Sequence, residues 1–148
     1  MALKQQILED IKSAMRAGEK DRLGVLRMLA AAIKQREVDE RIEHDDAQTL
    51  AAVEKMIKQR KESAAQYRAG AREELAVKEE AEIAILMAYL PEQLSDAELD
   101  RLIHDAIAET GATEMKDMGK VMGVLKPKLQ GKADMGEVSA KIKARLGS

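Results

Sequence analysis

The stretch DMGKVMGVLKPKLQGKADMGEVSAKIKARL, residues 117–146, decides the fold of the last part of the chain. At about 100° per residue, the angular step of an α-helix, apolar residues recur on one side of its first half. Gly131 suits the left-handed conformation that ends a helix, and Asp134 suits the N-cap of a following one. The stretch therefore predicts a helix-turn-helix hairpin. The apolar stripe of its first helix consists of Met118, Val121, Met122, Leu125 and Leu129.

Two glycines, Gly119 and Gly123, lie together on a strip beside this stripe, with Lys126 on one side and Lys120 on the other. A helix interior disfavours each glycine by about 1 kcal/mol relative to alanine. We therefore expect an interaction that offsets the combined cost of the two glycines. Glycines at i and i+4 remove the side chains from one line of the helix and allow another backbone to approach. That backbone is either a neighbouring helix or a sugar-phosphate chain lying between the lysines. The residues alone leave both interpretations open.

Positive charge collects in the same region, although the whole chain has a formal net charge of −2. From residue 115 to the end there are eight basic and three acidic residues, which gives a local charge of +5. A clustered basic surface is the electrostatic footprint of a nucleic-acid-binding protein. The candidate RNA-binding residues are the two glycines with the surrounding bases: Gly119, Lys120, Gly123, Lys126, Lys128, Lys132, Lys141, Lys143 and Arg145.

A second basic cluster falls in the later half of a predicted long helix, about residues 47–69, and in the turn beyond it. A charged run on a helix is usually a solvated face, and this is the simpler interpretation here. The alternative is a secondary basic patch that contacts RNA. Its members are Lys58, Arg60, Lys61, Arg68 and Arg72.

Composition sets the fold class. The chain is rich in Ala, Leu, Glu, Lys and Met, which favour helices, and poor in β-branched residues, so we predict an all-α protein. Helical periodicity and end signals indicate an N-terminal helical domain of about four helices over residues 1–91. A small C-terminal three-helix domain follows over residues 92–148, where Ser95 and Glu98 form a capping box. The acidic connection at residues 37–46 is expected to be solvated, with His44 exposed.

Composition also excludes several classes of function. Tyr67 and Tyr89 are the only aromatic residues, which argues against RNA-binding modules that stack bases on aromatic side chains. The chain has no cysteine, and its first residues form neither a secretory signal nor a membrane span. We therefore expect a cytoplasmic protein that does not enter a membrane.

No set of residues typical of a self-contained enzyme can be assembled. Both histidines, His44 and His104, lack a plausible nucleophile partner, and phosphate-binding glycine motifs are absent. Glu79 and Glu82 share a helix face, but metal sites in helical bundles need Glu-x-x-His on two helices. We predict no catalytic residue, no cofactor and no metal.

Several separated motifs resemble the YqeY family of small bacterial proteins over essentially the whole chain. They are KQRKESAAQYRAGAREELAVKEEAEIAILMAYLPEQLS at 58–95, DMGKVMG at 117–123 and GKADMGEV at 131–138. The C-terminal part is also similar to the tail domain of the B subunit of the glutamine-dependent aspartyl/glutamyl-tRNA amidotransferase. This resemblance implies a two-domain helical fold and a tail that contacts the elbow of tRNA. Family members are commonly described as carbon–nitrogen ligases with glutamine as amido donor, but the catalytic sites of that complex lie outside the tail.

Three functions remain open at this point. The first is a non-catalytic accessory protein that binds tRNA or another structured RNA, alone or with a translation enzyme. The second is a component of glutamine-dependent amido transfer. The third is a helical protein-interaction module in which the strip at Gly119 and Gly123 receives a partner helix. The sequence does not decide the oligomeric state.

Overall fold

The computed structural model describes residues 2–147. Within that range the chain forms seven α-helices and one short 3-10 helix, with no strand, so the all-α prediction is confirmed. The chain separates into two compact units, the first ending at Leu90 and the second beginning at Pro91. The helices of the first unit are α1 (Leu3–Ala17), α2 (Lys20–Glu40), α3 (Asp46–Ala69) and α4 (Glu73–Met87).

The four helices of the first unit enclose one aliphatic core. Each fully buried side chain of this kind contributes about 1.5–3 kcal/mol relative to an exposed one, so the core is the main source of stability of the unit. Tyr89, just beyond α4, completes the core and donates a 2.6 Å hydrogen bond to the Asp10 carboxylate on α1. The aliphatic core residues include Ile7, Val25, Leu26, Leu29, Ile33, Val53, Ile57 and Leu86.

The helix ends of the first unit follow local sequence signals. Gly18, at φ 70°, ends α1 in the left-handed region, where glycine carries no Cβ penalty. Asp45 starts α3 through a capping box, because its carboxylate accepts from the Gln48 N–H at 2.8 Å and its own N–H donates to the Gln48 side chain at 3.0 Å. Arg41 ends α2 at φ 57°, in the left-handed region but with a full side chain.

His44 is buried, so the expectation of an exposed histidine is wrong. Its side chain is only 1% exposed, and its Nε2 lies 3.3 Å from the Glu40 carboxylate. Its backbone N–H donates to Glu37 at 2.8 Å, and Glu37 in turn accepts from the Lys4 ammonium at 2.7 Å. These bonds fold the acidic connection between α2 and α3 back against its own unit.

The second unit contains α5 (Asp96–Thr110), a 3-10 turn (Met115–Asp117), α6 (Met118–Leu129) and α7 (Met135–Leu146). The Ser95 hydroxyl caps α5 by accepting from the Glu98 N–H at 3.2 Å, and Asp134 caps α7 by accepting from the Gly136 N–H at 2.8 Å. Helices α6 and α7 are the predicted hairpin. The core of the second unit includes Leu99, Ile103, Val121, Leu125, Leu129, Val138 and Ile142.

Across residues 2–147, no helix combines the length and the apolar character needed to cross a lipid bilayer.

Candidate nucleic-acid interface

The glycine strip of α6 is open. Gly119 and Gly123 are both exposed, and a Cβ atom built on either would meet nothing within 4 Å in the described part of the chain. The opposite side of α6 is buried through Val121, Leu125 and Leu129. The helix cost of Gly123, about 1 kcal/mol in a helix interior, and the smaller one of Gly119 in the first turn are therefore not offset by packing against another described helix.

Exposed lysines surround the strip. Lys126, which lies beside the glycines, is exposed and has no ion pair among residues 2–147. The Lys120 side chain is 71% exposed, and its ammonium lies 3.9 Å from the Asp117 carboxylate, at the outer limit of an ion pair. The other exposed bases of the hairpin are Lys128, Lys132, Lys143 and Arg145.

Lys141 differs from the other bases of the hairpin. Its side chain is 25% exposed, and its ammonium lies 2.9 Å from Asp100 and 3.8 Å from Asp96, both at α5. The hydrogen bond to Asp100 raises the pKa of Lys141. The ion pairs of Lys141 with α5 thus hold α7 against that helix. Because its charge is compensated by two carboxylates, Lys141 contributes less than Lys143 to the positive charge of the exposed surface.

The turn that carries Lys132 is fixed by the segment before α5. The Gln93 side-chain amide donates to the Gly131 carbonyl at 2.6 Å, and the Leu94 N–H donates to the Lys132 carbonyl at 3.0 Å. Gly131 adopts φ 75°, as expected for the end of a helix. Sequence analysis did not identify Gln93 as part of the site, because nothing in its local pattern indicates a partner 38 residues away.

Asp117 orders the turn before α6. Its carboxylate accepts from the backbone N–H groups of Thr113 at 3.0 Å and Glu114 at 3.2 Å. The Thr113 hydrogen bond, followed by the Glu114 one, lowers the pKa of Asp117. The 3-10 turn that leads into α6 is therefore held by a carboxylate that remains charged at neutral pH.

The secondary basic patch is not a free cationic surface. Arg60 is buried and its Nε donates to the Glu82 carboxylate at 3.0 Å, contrary to its expected place on a solvated face. Arg68 bonds to Glu73 and Glu80, and Arg72 pairs with Glu74 at 3.0 Å. Within residues 2–147, only two members of the patch are exposed without an ion pair, namely Lys58 and Lys61.

The described residues contain no group of three or more His, Cys, Asp or Glu side chains placed to hold a metal ion.

Fold and site together define an all-α protein with a basic helical hairpin that carries an open glycine strip. The family model of the Yqey-like proteins matches residues 4–146, so the chain belongs to that family, as its motifs indicated. Two fungal relatives carry the name "Altered inheritance of mitochondria protein 41, mitochondrial". The one from Pyrenophora tritici-repentis is 31% identical over 143 residues, which is 94% of this chain and 78% of the relative. The one from Vanderwaltozyma polyspora is 31% identical over 118 residues, and the match spans 74% of this chain but only 63% of that relative.

Proposed function

We propose that this protein is a non-catalytic accessory protein that binds tRNA or another structured RNA on its C-terminal hairpin. The observation that carries the proposal is the open strip at Gly119 and Gly123, which nothing in the described chain covers within 4 Å of a built Cβ. Because the strip has no side chains, the sugar-phosphate backbone of an RNA can lie close to the helix backbone. Lys120 and Lys126 then lie on its two sides, where their ammonium groups neutralise phosphates.

The distribution of charge within the second unit also supports contact of RNA with the hairpin. Residues 91–114 contain seven acidic residues and one basic residue, whereas the part from residue 115 onward has a local charge of +5. A polyanion is attracted by the basic end and repelled by the acidic one, so it meets the hairpin first. Such recognition reads the shape and backbone of RNA, and little sequence specificity follows.

The resemblance to the amidotransferase tail supports tRNA as the RNA, and it also supports the second candidate, a component of glutamine-dependent amido transfer. In that case the catalytic groups come from partner subunits. The open glycine strip supports the third candidate as well, because a helix of a partner protein can pack closely on it. We favour RNA because lysines flank the strip, whereas lysine is depleted in protein–protein interfaces and charged residues are depleted at their core.

We also propose that the two units act as separate domains of four and three helices. In this arrangement the C-terminal domain binds the RNA. A cytoplasmic location remains our prediction from the composition, while the names of the two fungal relatives include the word mitochondrial.

Filter binding of the full chain to bulk tRNA at several salt concentrations tests the proposal. We expect an affinity that falls steeply with salt and at least tenfold weaker binding when Lys120, Lys126 and Lys132 are changed to Ala. The charge-matched control changes Lys20, Lys55 and Lys78 to Ala, three exposed lysines of the first unit. Equal affinity of the two triple variants would contradict the proposal. Glutamine-dependent ammonia release with amidotransferase subunits would favour the second candidate instead.

A further inference from the structure

A shallow cavity of about 390 Å³, largely open to solvent, lies in the first unit at the C-terminal end of α2. Lys34 and Val38 line it from one face of α2, since they are four residues apart, and Arg41 and Ile42 line it just beyond the end of the helix. Lys4 of α1 lines another side, together with Glu37 and Glu43. The cavity thus combines cations with aliphatic side chains.

The cations of the cavity are not equivalent. The Lys4 ammonium lies 2.7 Å from Glu37 and 3.2 Å from Glu43, so its charge is compensated. Lys34 and Arg41 are exposed, and neither has a carboxylate within ion-pair distance in the part of the chain that the structure describes. The rim of the cavity therefore carries unpaired positive charge.

The aliphatic side of the cavity is open to solvent. The exposed fraction is 61% for Val38 and 45% for Ile42, which places both among the most exposed large apolar residues of the chain. Covering such side chains with an aliphatic group removes apolar surface from water, which is favourable by about 25 cal/mol per Å². A ligand that contacts both the cationic rim and the aliphatic side of the cavity needs an anionic group and a short aliphatic group.

The conformation of Arg41 ends α2, and its side chain lines the cavity. Arg41 adopts φ 57° and Ala71 adopts φ 60°, whereas the other described residues in the left-handed region are Gly18, Gly111 and Gly131. A residue with a Cβ is disfavoured there, whereas glycine is not. The chain nevertheless carries an arginine whose guanidinium bonds to no other described residue. The left-handed conformation closes the end of α2, where the Arg41 N–H donates to the Glu37 carbonyl, and it leaves the guanidinium available to a ligand.

We propose that this cavity binds a small aliphatic carboxylate. The carboxylate lies between Arg41 and Lys34, because the planar guanidinium offers two parallel N–H donors that match its two oxygens. The aliphatic chain covers Val38 and Ile42. The volume lies near the lower end of the range of ligand pockets, about 300–1,000 Å³, so the chain is short. The source is either a free aliphatic acid or a peptide C-terminus that ends in an aliphatic residue.

Titration of the full chain, followed by the amide and methyl NMR signals of residues 34–43, tests this proposal. The probes are hexanoate, N-acetyl-leucine as a mimic of a peptide C-terminus, and hexanol as a neutral control. We expect saturable shifts with one or both carboxylates and none with hexanol. Tighter binding of N-acetyl-leucine assigns the source to a peptide, and tighter binding of hexanoate assigns it to a free acid. Equal shifts with hexanol, or no saturable shift with any probe, would overturn the proposal.

Two variants separate binding from folding. Arg41→Gly should weaken carboxylate binding at least tenfold without lowering the melting temperature, because glycine relieves the left-handed strain. Lys34→Gln should weaken binding in the same direction. Lys78→Gln, an exposed lysine on α4, serves as the control and should bind like the unmodified protein. Undiminished binding by Arg41→Gly would contradict the assignment. The outcome does not depend on RNA binding, since the cavity lies in the first unit.

Discussion

The Lys141 ammonium donates a 2.9 Å hydrogen bond to the Asp100 carboxylate and so joins α7 to α5. Lys126 and Lys132, on the same hairpin, have no comparable partner among residues 2–147. The basic residues of the hairpin therefore fall into two kinds. Lys141 stabilises the fold, whereas Lys126 and Lys132 are available to a polyanion.

This difference predicts unequal effects on RNA binding. Each lost phosphate contact should reduce the slope of log K against log salt by about 0.7–0.9, the value per neutralised phosphate. We expect that reduction for Lys126→Ala and a smaller one for Lys141→Ala, whose charge already faces Asp100. Filter binding of tRNA over a salt series measures both slopes. A reduction for Lys141→Ala as large as that for Lys126→Ala would show that the ion pair does not withhold this lysine from RNA.

Arg60 should matter for stability and not for RNA binding. Its side chain is 9% exposed and its partner Glu82 is 21% exposed, so Arg60→Ala leaves a largely buried carboxylate without its cation. The free energy of unfolding should fall by about 2–4 kcal/mol. Lys61→Ala, at an exposed position one residue away, should change it by less than about 0.5 kcal/mol. Urea denaturation distinguishes the two outcomes, and equal midpoints for both variants would refute the structural role of Arg60.

Glu37 should make stability depend on pH in the acid range. The hydrogen bond from Lys4, followed by that from the His44 N–H, lowers the pKa of Glu37. Because the folded state prefers the ionised carboxylate, its contribution is complete above the unfolded pKa of about 4.3 and is lost as the pH falls through the lower folded value.

The measurement is a comparison of the wild type with Glu37→Gln by chemical denaturation between pH 7 and pH 2. Their difference in stability should be largest near neutral pH and should shrink below about pH 4. Glu62→Gln, an exposed position on α3, provides the control and should track the wild type. A difference between wild type and Glu37→Gln that is constant over the whole range would exclude this linkage.

Local sequence patterns predicted the features that depend on neighbours along the chain. Gly131 takes the left-handed conformation after α6 and Ser95 caps α5 as expected, because such signals act within one helical turn. The apolar stripe of α6 also predicted which side is buried, since Val121, Leu125 and Leu129 lie in the core, but it left open whether another helix packs on Gly119 and Gly123. Periodicity specifies the face of a helix on which a residue lies.

Side-chain pairs between helices could not be predicted in this way. Arg60 forms an ion pair with Glu82, which lies on a different helix 22 residues later, and no local pattern identifies that partner. His44 was expected in solvent because acidic residues surround it, but Glu37 and Lys4 fold the connection inward. Ala71 adopts φ 60° and interrupts the helical backbone between α3 and α4, which no local pattern at this alanine indicates.

Filling the glycine strip tests the central claim most directly. Gly119→Gln with Gly123→Gln adds two uncharged side chains where a built Cβ meets nothing within 4 Å, and glutamine is the better helix former. The control adds the same side chains at Ala31 and Ala65, which are exposed in the first unit. Thermal melts and tRNA titrations at one fixed salt concentration are made on both variants. We expect the strip variant to melt at a higher temperature than the wild type and to bind tRNA at least tenfold more weakly, while the control keeps wild-type affinity. A strip variant that is more stable and binds tRNA as tightly as the wild type would contradict the account.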